Sequence, residues 1–132
     1  MGYTIVTNND KCRDAYQGRY TVDYNGDWTY LEVLLRARDL IHAGAKLITH
    51  PMAGSLKPNQ TPYRSVVLGS ESMEDKEPWR DVMLIEESIE ACEKFLRCRP
   101  LPPWHEKALE DFRTLDLSFL EGALSPARAH GE

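Results

Sequence analysis

The segment Lys46–Ser65 combines residue types that can bind a small anion, placed in a polar loop between two apolar runs. Gly54 permits close approach of the backbone, Ser55 offers a hydroxyl, and Lys57 offers a positive charge. The spacing differs from the G-x-x-x-x-G-K-[ST] pattern of a phosphate loop. The loop therefore predicts a site for a ligand or a partner, and the alternative is that its three prolines stiffen an ordered connector.

Polar residues also follow two of the apolar runs. Asn8 and Asn9 come after the first run, whereas Thr49 and His50 end the third. Ligands of open parallel sheets bind beyond the carboxyl ends of the strands. If the two strands are parallel neighbours, we expect these four residues to converge with the start of the loop. Asn59 is a further candidate ligand, and the alternative is that it hydrogen-bonds its own backbone.

His50 has the side chain best suited to acid–base chemistry, because the reference pKa of histidine is about 6.5. The alternative is a histidine fixed by hydrogen bonds at a strand end. No set of nucleophile, base and orienting group can be assembled from neighbouring residues, so no catalytic residue is assigned. The three cysteines form no C-x-x-C pair and are expected to be reduced thiols, and the alternative is a redox-active or nucleophilic cysteine. We expect no metal site and no cofactor.

The elements that must position these residues alternate along the first half of the chain. Apolar and β-branched runs predict strands over Tyr3–Thr7, Tyr20–Tyr24, Ala45–His50 and Arg64–Leu68. A first helix is predicted from Asn9 or Asp10 to Tyr16. A second is predicted from Asp27 or Thr29 to His42, and Thr29–Glu32 fits a capping box. This pattern predicts a small α/β domain of two or three layers. Its sheet would be mainly parallel, with three or four strands in the order 2-1-3-4 and the fourth strand antiparallel or at an edge.

Two longer helices are predicted in the second half. Pro78 would begin the first, because its missing N–H costs nothing in the first turn. The last helix is expected from about Trp104 and would close at Gly122 and Pro126. We predict a single domain over residues 1–126 and a disordered tail over residues 127–132.

Composition excludes some classes of partner. The net charge of -5 argues against nucleic acid and anionic membranes, since both favour a basic surface. The longest apolar runs are far shorter than the roughly 20 residues that cross a membrane. The N-terminus has no charged region followed by a long apolar stretch, so it does not resemble a secretory signal. We expect a cytoplasmic protein.

Three stretches of the first half resemble the GrdX family: residues 4–9, TIVTNN; residues 34–51, LLRARDLIHAGAKLITHP; and residues 54–65, GSLKPNQTPYRS. Members are encoded beside the glycine reductase system of amino-acid-fermenting bacteria and have no established activity. The resemblance implies an accessory role in reductive amino-acid metabolism, with a protein partner from that system. The family usually has histidine where this chain has Ala45, so no role of that histidine carries over.

These observations leave three hypotheses. In the first, which we favour, a non-catalytic accessory protein binds a small anionic metabolite or a protein partner at the edge formed by Asn8, His50 and Lys57. In the second, an enzyme uses His50 as acid or base while Lys57 holds a carboxylate or phosphate. In the third, the chain is a structural subunit that forms a homodimer through the apolar faces of its C-terminal helices.

Overall fold

A computed structural model describes residues 2–54, 56–70 and 77–131 of the protein. Within this part the strands are β1 (Thr4–Thr7), β2 (Thr21–Tyr24), β3 (Lys46–Leu47) and β4 (Ser65–Gly69). The helices are α1 (Asp10–Tyr16), α2 (Tyr30–His42), α3 (Pro78–Cys98) and α4 (Glu106–Gly131). The predicted α/β class is therefore confirmed.

The sheet is mixed, and its order is β2-β1-β4-β3. β1 pairs with β2 in parallel, whereas β4 runs antiparallel to both β1 and β3. The predicted order 2-1-3-4 and the mainly parallel sheet were wrong. The fourth strand is antiparallel, as one of the two alternatives held, but it lies inside the sheet rather than at its edge.

Burial explains why β4 takes the inner position. All five of its residues are buried, whereas both residues of β3 are only partly buried. A strand buried on both faces is most stable between two others, where its backbone groups are also paired on both sides. No helix lies among the described residues of the loop after β3, and the chain returns in an antiparallel direction.

Helices cover both faces of the sheet, which gives three layers. On one face Val6, Val66 and Leu68 pack in a cluster with α2 and α3. On the other face Ile5 and Val67 pack against side chains of α1 and α4. Successive strand residues point to opposite faces, so Thr7 and Ser65 turn toward α1 and α4. The register pairs these two residues directly across β1 and β4.

Local signals set the helix starts. The Asn9 side chain accepts a hydrogen bond from the Lys11 N–H and caps α1. Thr29 and Glu32 form the predicted capping box at α2. α3 begins at Pro78, also as predicted.

The last helix differs from its predicted limits. α4 runs past Gly122 and Pro126 to Gly131. Disorder over residues 127–132 stays a prediction, and Glu132 lies outside the described residues. None of the described helices is both long enough and apolar enough to cross a membrane.

Candidate functional site

Asn8 ties the end of β1 to the loop that precedes β4. Its side-chain amide donates to the Trp28 carbonyl at 2.9 Å and to the Pro62 carbonyl at 2.8 Å. Its oxygen accepts from the Arg64 N–H at 3.0 Å. Asn8 is 4% exposed, so three backbone groups depend on one buried amide. The position of Arg64 is therefore set by the end of β1.

Asn9 ties the same strand end to α4. While its oxygen caps α1, its amide nitrogen donates to the Arg113 carbonyl at 2.9 Å and to Oδ2 of Asp116 at 3.0 Å. Asn9 is fully buried. Its polar atoms thus join a short helix, a strand and the last helix at one point.

A buried polar cluster surrounds Asp116, between the sheet and α4. The Ser65 hydroxyl donates to Asp116 Oδ2 at 2.7 Å and lies 2.7 Å from the Thr7 hydroxyl. The Cys12 sulfur lies 3.6 Å from the same carboxylate oxygen. Burial raises the pKa of the Cys12 thiol, and the charge of Asp116 raises it further. Cys12 is therefore a protonated, unreactive thiol rather than a nucleophile.

Arg64 is a buried cation whose hydrogen-bond acceptors are neutral groups. The residue is 4% exposed, and its Cζ lies 4.9 Å from the centre of the Phe119 ring. Nε donates to the Ser65 carbonyl at 3.3 Å, and Nη1 donates to the Ala53 carbonyl. Burial raises the pKa of the Tyr30 hydroxyl, and the nearby Arg64 guanidinium, as a charge and a hydrogen-bond partner, lowers it. Among the described residues the guanidinium forms no ion pair. Such a charge is costly to bury unless something completes its pairing.

A pocket of about 100 Å³ lies between the loop and α4. Its apolar wall is formed by Ala53, Leu56, Phe112, Leu115 and Phe119. Its remaining lining residues are Gly54, Thr61, Tyr63, Arg64 and Asp116. Gly54 has a φ of 111°, a backbone conformation that favours glycine. The pocket is mostly apolar, and two buried charges of opposite sign line it, which is typical of a small-molecule site.

The predicted site residues divide between this pocket and its supports. Gly54 lines the pocket, whereas Asn8 and Asn9 hold Arg64 and Asp116 from behind. Ser55 lies outside the described residues. Contact of any of these residues with a ligand stays a prediction.

The other predicted residues lie around the loop. The Thr49 hydroxyl accepts from the Val67 N–H. His50 is exposed, and its Nδ1 accepts from the Met52 N–H at 3.0 Å. β3 and β1 run in the same direction, so His50 leaves the sheet at the edge where Asn8 lies, but β4 separates the two strands.

Lys57 and Asn59 both contact α3 on the far side of the loop. The ammonium of Lys57 is exposed and lies 5.5 Å from the centre of the Phe95 ring. The Asn59 amide donates to the Phe95 carbonyl at 3.0 Å. These contacts anchor the loop to α3, and neither residue lines the pocket described above.

Arg64 and Asp116 were missed by the sequence reasoning, although both carried a signal. Asp116 occupies a helical position four residues after Phe112 and four before Leu120, within the apolar stripe of α4. A carboxylate on such a stripe indicates a buried polar site. Arg64 directly precedes the most apolar strand of the chain, where a cation is equally out of place.

In residues 2–54, 56–70 and 77–131 there is no group of three or more histidine, cysteine or acidic residues arranged to hold a metal ion. Burial raises the pKa of Cys92 to about 12, so this second buried thiol is also protonated.

Comparison with known proteins gives the family. A family model described as GrdX-like protein matches residues 4–125, which is nearly the whole chain and not only the half that carries the sequence resemblance. The chain therefore belongs to the GrdX-like protein family. No curated protein and no solved structure matches it.

Proposed function

We propose that this GrdX-like protein is a non-catalytic accessory protein that binds a small anion in the pocket between the 53–64 loop and α4. The observation that carries the proposal is Arg64, a cation that is 4% exposed, lines the pocket, and forms no ion pair among the described residues, since the acceptors of its Nε and Nη1 are neutral carbonyl groups. An anion bound there would complete the pairing of the guanidinium.

The anion class follows from the chemistry of arginine. A guanidinium presents its N–H donors in a planar fork that matches a carboxylate or a phosphate. The apolar wall around it lowers the local dielectric, so a charge-assisted hydrogen bond there is stronger than one in water. The pocket volume of about 100 Å³ restricts the ligand to a few non-hydrogen atoms, because a cavity of about 150 Å³ holds benzene.

The metabolic setting of the proposal comes from the sequence resemblance. Proteins of this family are encoded with the glycine reductase system, so we infer an accessory role in reductive amino-acid metabolism and a partner protein from that system.

The test is calorimetric titration of the purified protein with acetate and with inorganic phosphate, at an ionic strength held constant with chloride. Arg64→Gln should weaken binding of whichever anion binds wild type by roughly 1.5–3 kcal/mol, the usual worth of a hydrogen bond to a charged group. That loss is about 10- to 150-fold in Kd. Arg97→Gln, an exposed arginine on α3, is the matched control and should bind as wild type does.

Lys57→Ala separates this pocket from the site predicted on the exposed side of the loop. With the pocket as the site, Lys57→Ala should retain affinity because its ammonium lies over Phe95. Loss of binding in Lys57→Ala together with full binding in Arg64→Gln would move the site out of the pocket. If wild type binds neither inorganic phosphate nor acetate nor any other small carboxylate, the proposal is overturned.

A further inference from the structure

Asp116 gives the pocket a second charged group whose hydrogen bonding is half complete. Oδ2 accepts from the Ser65 hydroxyl at 2.7 Å and from the Asn9 amide at 3.0 Å. Oδ1 accepts no hydrogen bond from the described residues, although Asp116 is only 8% exposed and lines the pocket. An ionised carboxylate accepts at both oxygens. We therefore infer that Oδ1 of Asp116 is the oxygen that can accept a hydrogen bond from a ligand in the pocket.

The two charges of the pocket do not satisfy each other. Arg64 and Asp116 form no ion pair, and Ser65 holds them apart, since its carbonyl accepts from Arg64 Nε at 3.3 Å and its hydroxyl donates to Asp116. Phe119 fixes the guanidinium from one side, while Asn9 fixes the carboxylate. The pocket thus presents an anion-binding end and a cation-binding end at a set separation.

We propose that the ligand of this pocket is a small zwitterion, in which a short carbon chain separates an ammonium group from a carboxylate. The ligand carboxylate would accept from Arg64 Nη2, and its ammonium would donate to Asp116 Oδ1. The inference rests on the proposed function, because it assigns the other end of the same ligand. The volume of about 100 Å³ leaves little room for a side chain.

The first test needs only wild-type protein and three ligands. Glycine, glycolate and propionate have the same number of non-hydrogen atoms, share the carboxylate, and differ in one group: ammonium, hydroxyl or methyl. Calorimetric titration should rank glycine first, with a Kd about 10-fold or more below that of propionate. The ammonium of glycine donates to Asp116 with both groups ionised, the glycolate hydroxyl donates as a neutral group, and the propionate methyl group donates nothing.

The outcomes separate this inference from the proposed function. Equal affinity for all three ligands, or a preference for propionate, would overturn the zwitterion while leaving the anion pocket in place. If acetate, phosphate and all three ligands fail to bind, the proposed function itself fails.

The second test changes the protein. Asp116→Asn keeps the shape of the side chain and an oxygen for Ser65, but it places an amide donor where the ligand ammonium would lie. Glycine affinity should fall about 10-fold or more while propionate affinity is retained. Asp111→Asn, an exposed residue of α4, is the matched control and should leave the ratio of the two affinities unchanged.

An unchanged glycine-to-propionate ratio in folded Asp116→Asn would contradict the assignment. Folding is checked by far-UV circular dichroism, because Asp116 is buried in a hydrogen-bonded cluster. If the variant does not fold, the ligand series with wild type decides the question.

Discussion

Replacing Asn8 with alanine should destabilise the protein far more than the small number of atoms removed suggests. The substitution leaves the Trp28 carbonyl, the Pro62 carbonyl and the Arg64 N–H without their partner. An unsatisfied buried backbone group costs roughly 1–3 kcal/mol. Two of the three contacts are only partly buried, so each of the three groups is taken at the low end of that range. The expected loss is then about 3 kcal/mol in the free energy of unfolding.

The corresponding change in melting temperature follows from chain length. The unfolding entropy of a chain of 132 residues is about 0.28 kcal/mol per kelvin near 60 °C. A loss of about 3 kcal/mol should therefore lower Tm by about 11 °C. Urea unfolding followed by circular dichroism gives the free-energy difference directly, provided that the m-value stays constant.

Asn59→Ala is the matched control, because it also removes a buried asparagine. Asn59 is 7% exposed, and within the described part of the chain its side chain makes one hydrogen bond, to the Phe95 carbonyl. Its loss should cost about 1 kcal/mol and about 4 °C in Tm. Equal urea midpoints for Asn8→Ala and Asn59→Ala would refute the reasoning that the number of stranded backbone groups sets the cost.

The isosteric variant Asn8→Asp removes only the N–H donors of the Asn8 side-chain amide. It keeps the acceptor for the Arg64 N–H but points a second oxygen at the Trp28 and Pro62 carbonyls. At pH 7 it should be at least as unstable as Asn8→Ala. Acidification should recover part of the stability, because a protonated carboxyl regains one donor. A variant whose stability relative to wild type falls with acidification would contradict this account.

Two further predictions concern other parts of the chain. In native protein near pH 8, a thiol reagent should modify the exposed Cys98 and should modify Cys12 and Cys92 only after unfolding. The reason is that burial excludes the reagent and raises the pKa of both buried thiols. Rapid modification of all three thiols in native protein would contradict the packing. Thr29→Ala should lower the free energy of unfolding by about 1 kcal/mol through loss of the capping box, whereas Thr29→Ser should retain most of it, as measured by urea unfolding. Equal stability of those two variants would show that the cap contributes nothing.

Local features of this chain could be predicted from its sequence, because each depends on a few neighbouring residues. The Asn9 cap, the Thr29 capping box and the helix start at Pro78 are of this kind. Strand order depends instead on which strand buries both faces. The run Ser65–Gly69 contained that information, since consecutive apolar residues are typical of an inner strand. The strand order was predicted instead from the alternation of strands and helices in the first half of the chain, which favours a parallel sheet.

The pocket could not be predicted because its two charges come from distant parts of the chain. Ser65 and Asp116 are separated by 51 positions, and only the packing of α4 on the sheet brings them together. Lys57 was predicted as the anion-binding cation, because it lies in the polar loop and carries a positive charge. Long-range packing instead buries Arg64, the cation at the other end of the same loop. These two cations differ in solvent exposure, and residue type alone does not predict that difference.

Two consecutive asparagines explain how the pocket keeps its charges apart. Asn8 holds the loop through Pro62 and Arg64, and Asn9 holds α4 through Asp116. Both extend from β1, a strand paired on both sides within the sheet. The two walls of the pocket are therefore fixed to one rigid element, and the hydrogen bonds from Ser65 to Asp116 and from Arg113 to the Tyr63 hydroxyl also join them directly. A site positioned in this way is preorganised, so little binding energy is lost in ordering the protein. It also follows that the pocket should select a ligand by the distance between its charged groups, because neither wall can move to meet a longer or shorter molecule without breaking buried hydrogen bonds.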